Sequence, residues 1–146
     1  MNIRRLFLLC IPMLLIIGCS DGDNEQDAIT PEGDPAQAAR AFMTSFLNGD
    51  VETCQTYTAV ESRESVMLLC QQRASVQSSV NTADLTFETL EINGRYALVQ
   101  TGGTYEQSVV DPASGAVQRD VVNEPILLQM YYQDGFWRFD DFVNGN

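Results

Sequence analysis

The sequence contains no histidine and no lysine, so that all eight of its basic residues are arginines. Histidine is the commonest general base and metal ligand near neutral pH, and lysine is the residue that forms Schiff bases. Serine–histidine, cysteine–histidine and lysine-imine mechanisms are therefore excluded. The chain also lacks a phosphate-binding glycine loop and a nucleophile elbow. We expect no cofactor and no resident metal.

The sequence is also short of long apolar runs. The longest, Leu6 to Ile17, is about half of the ~20 residues that a membrane-spanning helix requires. It follows Arg4 and Arg5 and ends at a small residue and a cysteine. This order predicts a signal peptide over residues 1–18. The alternatives are an uncleaved anchor and an ordinary secretory signal with an incidental cysteine.

The end of this run, Ile16-Ile17-Gly18-Cys19, resembles the lipobox of bacterial lipoproteins. The resemblance implies cleavage before Cys19, which would carry a thioether-linked diacylglycerol and become the first residue of the mature chain. It also implies an extracytoplasmic protein of the bacterial cell envelope, held to a membrane by that lipid.

Positive charge is scarce in the mature chain that this reading predicts. Removal of Arg4 and Arg5 leaves six basic residues against 20 acidic ones, a formal net charge of −14. Such a surface repels phosphate backbones, so we expect no nucleic-acid partner. Residues 19–33 are acidic and polar, which predicts a disordered tether behind the lipidated cysteine. Its carboxylates have the spacing of a calcium loop, but Gln26 stands where that loop needs glycine.

Residues 34–146 have the length of one domain, and their pattern changes from helical to strand-like. Asp34 and Pro35 suit the start of a first helix, which Asn48-Gly49 ends. We expect a second helix over residues 50–57 and a third over residues 62–80. The third helix would have Val66, Leu69 and Cys70 on its buried stripe.

Two predicted hairpins carry turn pairs that tolerate positive φ, Asn93-Gly94 and Asp134-Gly135. In the first hairpin the alternation of apolar residues changes phase, which predicts a bulge near Thr89. In the second, pairing Gln133 with Phe136 sets the register of the last two strands. This register would bring an apolar set and one carboxylate to the helix-facing side: Ile126, Leu128, Met130, Tyr132, Trp137, Phe139 and Asp141.

Three helices followed by a four-stranded antiparallel meander that closes on "MYYQDGFWRFDDF" resemble the nuclear transport factor two-like cone. The segment "PAQAARAFMTSFLNGDVETC" looks like the opening helix of the SnoaL and ketosteroid isomerase branch. The expected fold class is therefore α+β, with three helices packed on a curved sheet. A cystatin-like helix-on-sheet fold is the competitor. In different members, the pocket of the cone binds apolar molecules, hosts acid–base chemistry or mediates association.

Ketosteroid isomerase uses an Asp base with Tyr and protonated Asp in an apolar cavity. If this chain were an enzyme, the candidates would be Asp141, Tyr132 and Tyr57, with Arg73 as a charge partner. A bulge near the strand end would turn Asp141 to solvent. We therefore expect no catalytic residues, and instead an apolar binding surface in the cone. The candidate ligand-contacting residues are Trp137, Phe139, Tyr132 and Met130.

Cys54 and Cys70 are the two cysteines that remain, because Cys10 leaves with the signal and Cys19 is acylated. Both fall on predicted helices in an exported chain, which predicts a disulfide between the second and third helices. The sequence thus predicts a lipid-tethered module that binds a small apolar ligand or an envelope protein. The alternative is an isomerase- or dehydratase-like enzyme with an Asp–Tyr pair inside the cone.

Overall fold

The computed structural model describes residues 31–76 and 78–143. Three helices come first and strands follow. The helices are α1 Pro35–Asn48, α2 Val51–Thr56 and α3 Arg63–Ala74. The strands are β1 Ser78–Asn81, β2 Leu85–Asn93, β3 Tyr96–Gly103, β4 Tyr105–Val110, β5 Val117–Val122, β6 Leu127–Gln133 and β7 Phe136–Val143. The predicted signal peptide, the lipidated Cys19 and nearly all of the predicted tether lie outside the described residues.

Helix α1 begins and ends where the sequence predicts. The Asp34 carboxylate accepts a hydrogen bond from the Ala36 amide at 2.9 Å, and Pro35 occupies the first turn. The helix ends at Gly49, whose φ of 70° lies in the left-handed region. A Cβ at Gly49 would lie 2.8 Å from the Ala74 Cα, so this glycine also allows α1 and α3 to approach closely.

Helix α3 ends six residues earlier than the predicted boundary at Val80. The chain turns at Ser75 and Val76, and Val80 lies instead in β1, paired with Gln107 of β4. β-Branched and serine residues are weak helix formers, so an available strand partner decides their conformation. The predicted stripe is also wrong in one place, because Leu69 is 40% exposed whereas Val66 and Cys70 are buried.

The predicted four-stranded antiparallel sheet is present, in the order β2-β3-β6-β7. Its helix-facing residues include Val99, Leu128 and Met130, which are fully buried. The outer edge of β7 is covered by residues 57–59. There Phe139 donates its amide hydrogen to the Tyr57 carbonyl, and its own carbonyl accepts from the Ala59 amide. This cover protects an edge that would otherwise be open to pairing with another chain.

The predicted four-stranded meander is interrupted, because β4 and β5 leave the main sheet between β3 and β6. With β1 they form a second, three-stranded antiparallel sheet in the order β1-β4-β5. The β4–β5 turn is the predicted one at residues 111–115. The Asp111 carboxylate accepts from the Ala113 and Ser114 amides, at 2.7 and 3.0 Å. These hydrogen bonds from backbone amides lower the pKa of Asp111.

The hairpin turns follow the Gly positions of the sequence. Asp134 and Gly135 both have positive φ, 54° and 83°, as a type I′ turn requires. In the β2–β3 hairpin Asn93 pairs with Tyr96, so the turn is Gly94-Arg95, one residue later than predicted. The predicted bulge near Thr89 is confirmed, between Thr89 and Glu91.

The predicted disulfide is present between Cys54 and Cys70, with 6.6 Å between the two Cα atoms. Both cysteines are fully buried. The bridge links α2 to α3 across a separation of 16 residues and belongs to the same core cluster as α1 and the main sheet.

Candidate functional site

The interior between α1 and the main sheet is occupied by side chains. The Phe42 ring of α1 stacks on the Phe139 ring of β7, with centroids 3.8 Å apart. Met43 and Met130 are at most 1% exposed. Two of the predicted ligand contacts, Phe139 and Met130, are therefore part of the packed core. Among the described residues the buried polar side chains are Ser45, Thr58 and Thr101, none of which is a carboxylate.

The prediction that Asp141 lies on the helix-facing side is wrong. A bulge in β7 shifts the pairing, so that Asp141 lies opposite Gln129 rather than Leu128. Asp141 is exposed, and Phe142 takes the place opposite Leu128. The Phe142 ring packs 4.7 Å from the Phe139 ring, which explains why the bulge is favoured.

The extra residue of this bulge is Asp140, which has a structural role. Its carboxylate accepts hydrogen bonds from the Ser62 hydroxyl and, at 2.9 Å, from the Gln129 amide group. These bonds join the start of α3 to the main sheet.

The remaining residues of the candidate enzyme set do not gather around Asp141. Tyr132 pairs with Trp137 and shares the face of Met130, opposite the face of Asp141. Arg73 does not serve as a charge partner for Asp141, because its Nε donates to the Leu47 carbonyl at the end of α1, at 3.0 Å. Within the described part of the chain, no carboxylate and tyrosine come together inside the cone.

An open pocket of about 640 Å³ lies at the end of the molecule where the β6–β7 turn meets the start of α1. We call it the end pocket. Its walls come from the chain before α1, the first turns of α1, the end of α2 and the β6–β7 hairpin. The lining residues are Glu32, Gly33, Asp34, Gln37, Ala38, Thr56, Tyr57, Gly135, Phe136, Trp137 and Arg138. Tyr57 and Trp137 are thus the two candidates from the sequence that border an open cavity.

Trp137 contributes a buried polar group to this pocket. The side chain is 3% exposed and makes an edge-to-face contact with Tyr132, with ring centroids 5.3 Å apart. A Cβ at Gly33 would lie 3.9 Å from the indole Cδ1, the atom bonded to Nε1. The indole N–H lies at this edge, and within the described part of the chain it has no hydrogen-bond partner.

Arg138 is the cation of the end pocket. One terminal nitrogen of its guanidinium donates to the Thr56 carbonyl at the end of α2, while its buried Nε has no partner among the described residues. Glu32 and Asp34 place two carboxylates on the opposite rim. Sequence reasoning missed Arg138, Gln37 and Gly33 because they come together from segments more than 90 residues apart.

The described residues contain neither a membrane-spanning helix nor a cluster of metal-binding side chains. No helix within residues 31–76 and 78–143 has the length and apolarity needed to cross a bilayer. In the same residues no group of three or more metal-binding side chains is gathered together.

Comparison with solved structures identifies the fold. The intermembrane-space region of the chloroplast protein ARC6 superposes with a TM-score of 0.57 and 12% identity, over 77% of this chain and 97% of that one. A ketosteroid isomerase-like protein from Erwinia carotovora gives 0.51 and 15%, over 75% and 93%. A candidate polyketide cyclase from Pseudomonas putida gives 0.51 and 14%, over 77% and 93%.

These similarities show that the chain has the α+β cone fold of the nuclear transport factor two-like proteins. At such identities they show the fold alone, and the functions of these proteins are not transferred by it. No protein-family model matches the sequence, and no curated protein matches it.

Proposed function

We propose that the protein is a lipid-anchored lipoprotein of the bacterial cell envelope whose cone domain binds a ligand or partner without chemical turnover. In this proposal Cys19 carries the lipid and residues 19–33 form the tether. The anchor is supported by the sequence: two arginines, a short apolar run and Ile16-Ile17-Gly18-Cys19.

The packed interior of the cone is the observation that supports a role without turnover, because it leaves no room for a substrate beside a general base. A general base must be desolvated and within about 3 Å of the proton that it removes. The stacked pair Phe42 and Phe139 fills the space between α1 and the sheet. Asp141 is exposed and lies on the opposite face of the sheet from Tyr132.

The buried disulfide fits an extracytoplasmic location, because such bonds persist in oxidising compartments. The acidic composition fits a protein that contacts the membrane through its lipid alone. An isomerase-like activity would need an enclosed carboxylate beside a tyrosine, and no observation in the described chain favours it.

The anchor is tested by replacing Cys19 with Ser in the full chain and following membrane fractionation and palmitate labelling in a bacterial host. Cys10→Ser is the matched control, since Cys10 lies in the apolar run. We expect the Cys19 variant to lose both the label and the membrane fraction, and the Cys10 variant to keep both. A Cys19 variant that still sediments with membranes would refute the anchor.

The absence of turnover is tested by complementation of a deletion strain. Asp141→Asn and Tyr132→Phe should each restore the phenotype of the parent chain. If a folded Asp141→Asn chain failed to restore it, the enzyme alternative would replace the binding role.

A further inference from the structure

The end pocket combines three properties of a ligand site. Its volume of about 640 Å³ lies within the ~300–1,000 Å³ that is typical of small-molecule pockets. Two aromatic side chains, Tyr57 and Phe136, supply apolar wall, and Phe136 is 66% exposed. The third property is the pair of buried N–H groups on Trp137 and Arg138 that lack acceptors among the described residues.

An unpaired buried N–H is costly, because it has lost its water without gaining a protein acceptor. In most folded proteins such groups are rare. Four such groups occur among the described residues, and two of them belong to residues that line the end pocket, Trp137 and Arg138. An acceptor atom that reached either N–H would recover part of this cost.

The charges of the rim restrict the kind of acceptor. Glu32 and Asp34 lie on the α1 side of the pocket. The Asp34 carboxylate already accepts a hydrogen bond from the Ala36 amide at the start of the helix. Arg138 supplies one positive charge against these two negative ones. A carboxylate or phosphate ligand would meet repulsion from the rim. A carbonyl or hydroxyl oxygen supplies the acceptor without that cost.

We propose that the end pocket binds a neutral organic molecule with an apolar or aromatic body and one carbonyl or hydroxyl oxygen, which accepts a hydrogen bond from the indole N–H of Trp137. This inference rests on the proposed binding role and names the ligand class of that role. Gly33 lies near the indole edge, since a Cβ there would be 3.9 Å from Cδ1. Entry of the oxygen to the buried N–H therefore requires a displacement of Gly33.

The chain contains a single tryptophan, so its indole N–H gives one resonance that reports on this site alone. The test titrates the full mature chain with three probes of similar size: 4-phenyl-2-butanone, butylbenzene and 3-phenylpropanoate. We expect the ketone to move the indole N–H resonance downfield in a saturable manner. Butylbenzene, which lacks an acceptor, should bind about five- to tenfold more weakly, and the anionic probe should also bind more weakly than the ketone.

Two matched variants locate the binding. Ala38 lines the end pocket, whereas Ala41 lines a neighbouring groove between α1 and α2 that shares Gln37 and Tyr57 with the end pocket. Ala38→Phe should abolish the ketone response, and Ala41→Phe should preserve it. Trp137→Phe, followed through the probe's own resonances, should remove the preference for the ketone over butylbenzene.

Three results would overturn the proposal: no movement of the indole resonance with the ketone, equal binding of the anion and the ketone, or equal responses of the Ala38 and Ala41 variants. Conversion of the ketone during the titration would instead refute the non-catalytic role while leaving the site in place. Failure of the site would leave the membrane fractionation by Cys19 unchanged, so the two proposals fail separately.

Discussion

The two sheets of this molecule share an antiparallel architecture but differ in what covers them. In the main sheet the helix-facing residues Val99, Leu128 and Met130 are fully buried beneath α1. In the three-stranded sheet every residue of β5 except Val122 is exposed, and Val117 and Val121 are 57% and 64% exposed. One sheet is the wall of a packed core, whereas the other contacts that core through Val80 of β1 and Tyr105 of β4 and exposes β5 to solvent.

The difference shows where the stability and the function of the fold are expected to reside. Apolar burial supplies most of the folding free energy, so the main sheet, α1 and the disulfide should unfold together. Segments with little buried apolar surface open at lower free energy. The β4–β5 hairpin should therefore open before the rest. The end pocket lies on the stable part, at the end of β6 and β7.

The largest effect should come from the main sheet. Trp137→Ala should lower the free energy of unfolding by about 3–5 kcal/mol, because it removes a buried aromatic side chain. Val121→Ala in β5 should change it by less than about 0.5 kcal/mol. Denaturant unfolding followed by circular dichroism measures both. Similar losses from the two variants would remove the distinction between the sheets.

Reduction of the disulfide should have the next largest effect. A loop of this size restricts the unfolded chain by about 3 kcal/mol in the entropy model. The double variant Cys54→Ala and Cys70→Ala should lose about that amount and lower the melting temperature. Mass mapping of non-reduced protein should find both cysteines in one linked peptide. Two freely alkylated thiols in envelope-derived protein would contradict the bridge.

Gly49 and Gly94 both have positive φ, but only Gly49 is packed against another element. Gly49→Ala introduces a Cβ 2.8 Å from the Ala74 Cα and a strained φ, so it should cost roughly 1–3 kcal/mol. Gly94→Ala has a comparable φ of 57° but meets nothing within 4 Å. It should cost less than Gly49→Ala in the same unfolding assay. Equal costs would mean that φ, and not the contact of α1 with α3, sets the requirement for Gly49.

Acid should slightly lower the free energy of unfolding, because two carboxylates that accept hydrogen bonds become protonated. Hydrogen bonds from the side chain and amide of Thr53 lower the pKa of Asp50 at the start of α2, as backbone amides lower that of Asp111. A lowered folded pKa contributes stability that is fully present above the unfolded value of 3.8 and is lost as the pH falls through the folded pKa. Asp50→Asn keeps an acceptor at the cap but should flatten this part of the pH dependence. NMR titration of the carboxyl carbons that gave ordinary values would contradict the assignment.

The smallest effect should come from Asp141→Asn. Because Asp141 is exposed and contacts its own strand, the unfolding free energy and the binding of the ketone probe should stay within error of the parent chain. A clear loss of probe binding would place Asp141 in the site and revive the enzyme alternative.

The sequence predicted the parts of the fold that depend on local chemistry. The ends of helices and strands could be predicted because caps and positive φ values demand particular residues. The examples are Asp34, Gly49 and the Asp134-Gly135 turn. The pairing of Tyr132 with Trp137 followed from that turn. These predictions required no knowledge of tertiary contacts.

The wrong predictions concern residues whose conformation is set by a contact that is distant in the sequence. Residues 75–80 continue a helical pattern weakly, and the presence of β4 draws Ser78–Asn81 into a strand. The β7 bulge had a readable signal, since Phe139 and Phe142 are three residues apart and a regular strand cannot place both on one face. The end pocket had no such signal, because its walls come from four separate segments.

The central claim is that the interior of the cone is filled and that ligands bind at its end. The most direct test is to label the methionine methyl groups with carbon-13 and repeat the ketone titration, since Met43 and Met130 are buried in the interior. If the interior is filled, the Trp137 indole resonance moves while the Met43 and Met130 methyl resonances stay in place. These two methyl groups should also show no nuclear Overhauser contacts with the probe. Direct contacts between the probe and these two methyl groups would contradict it.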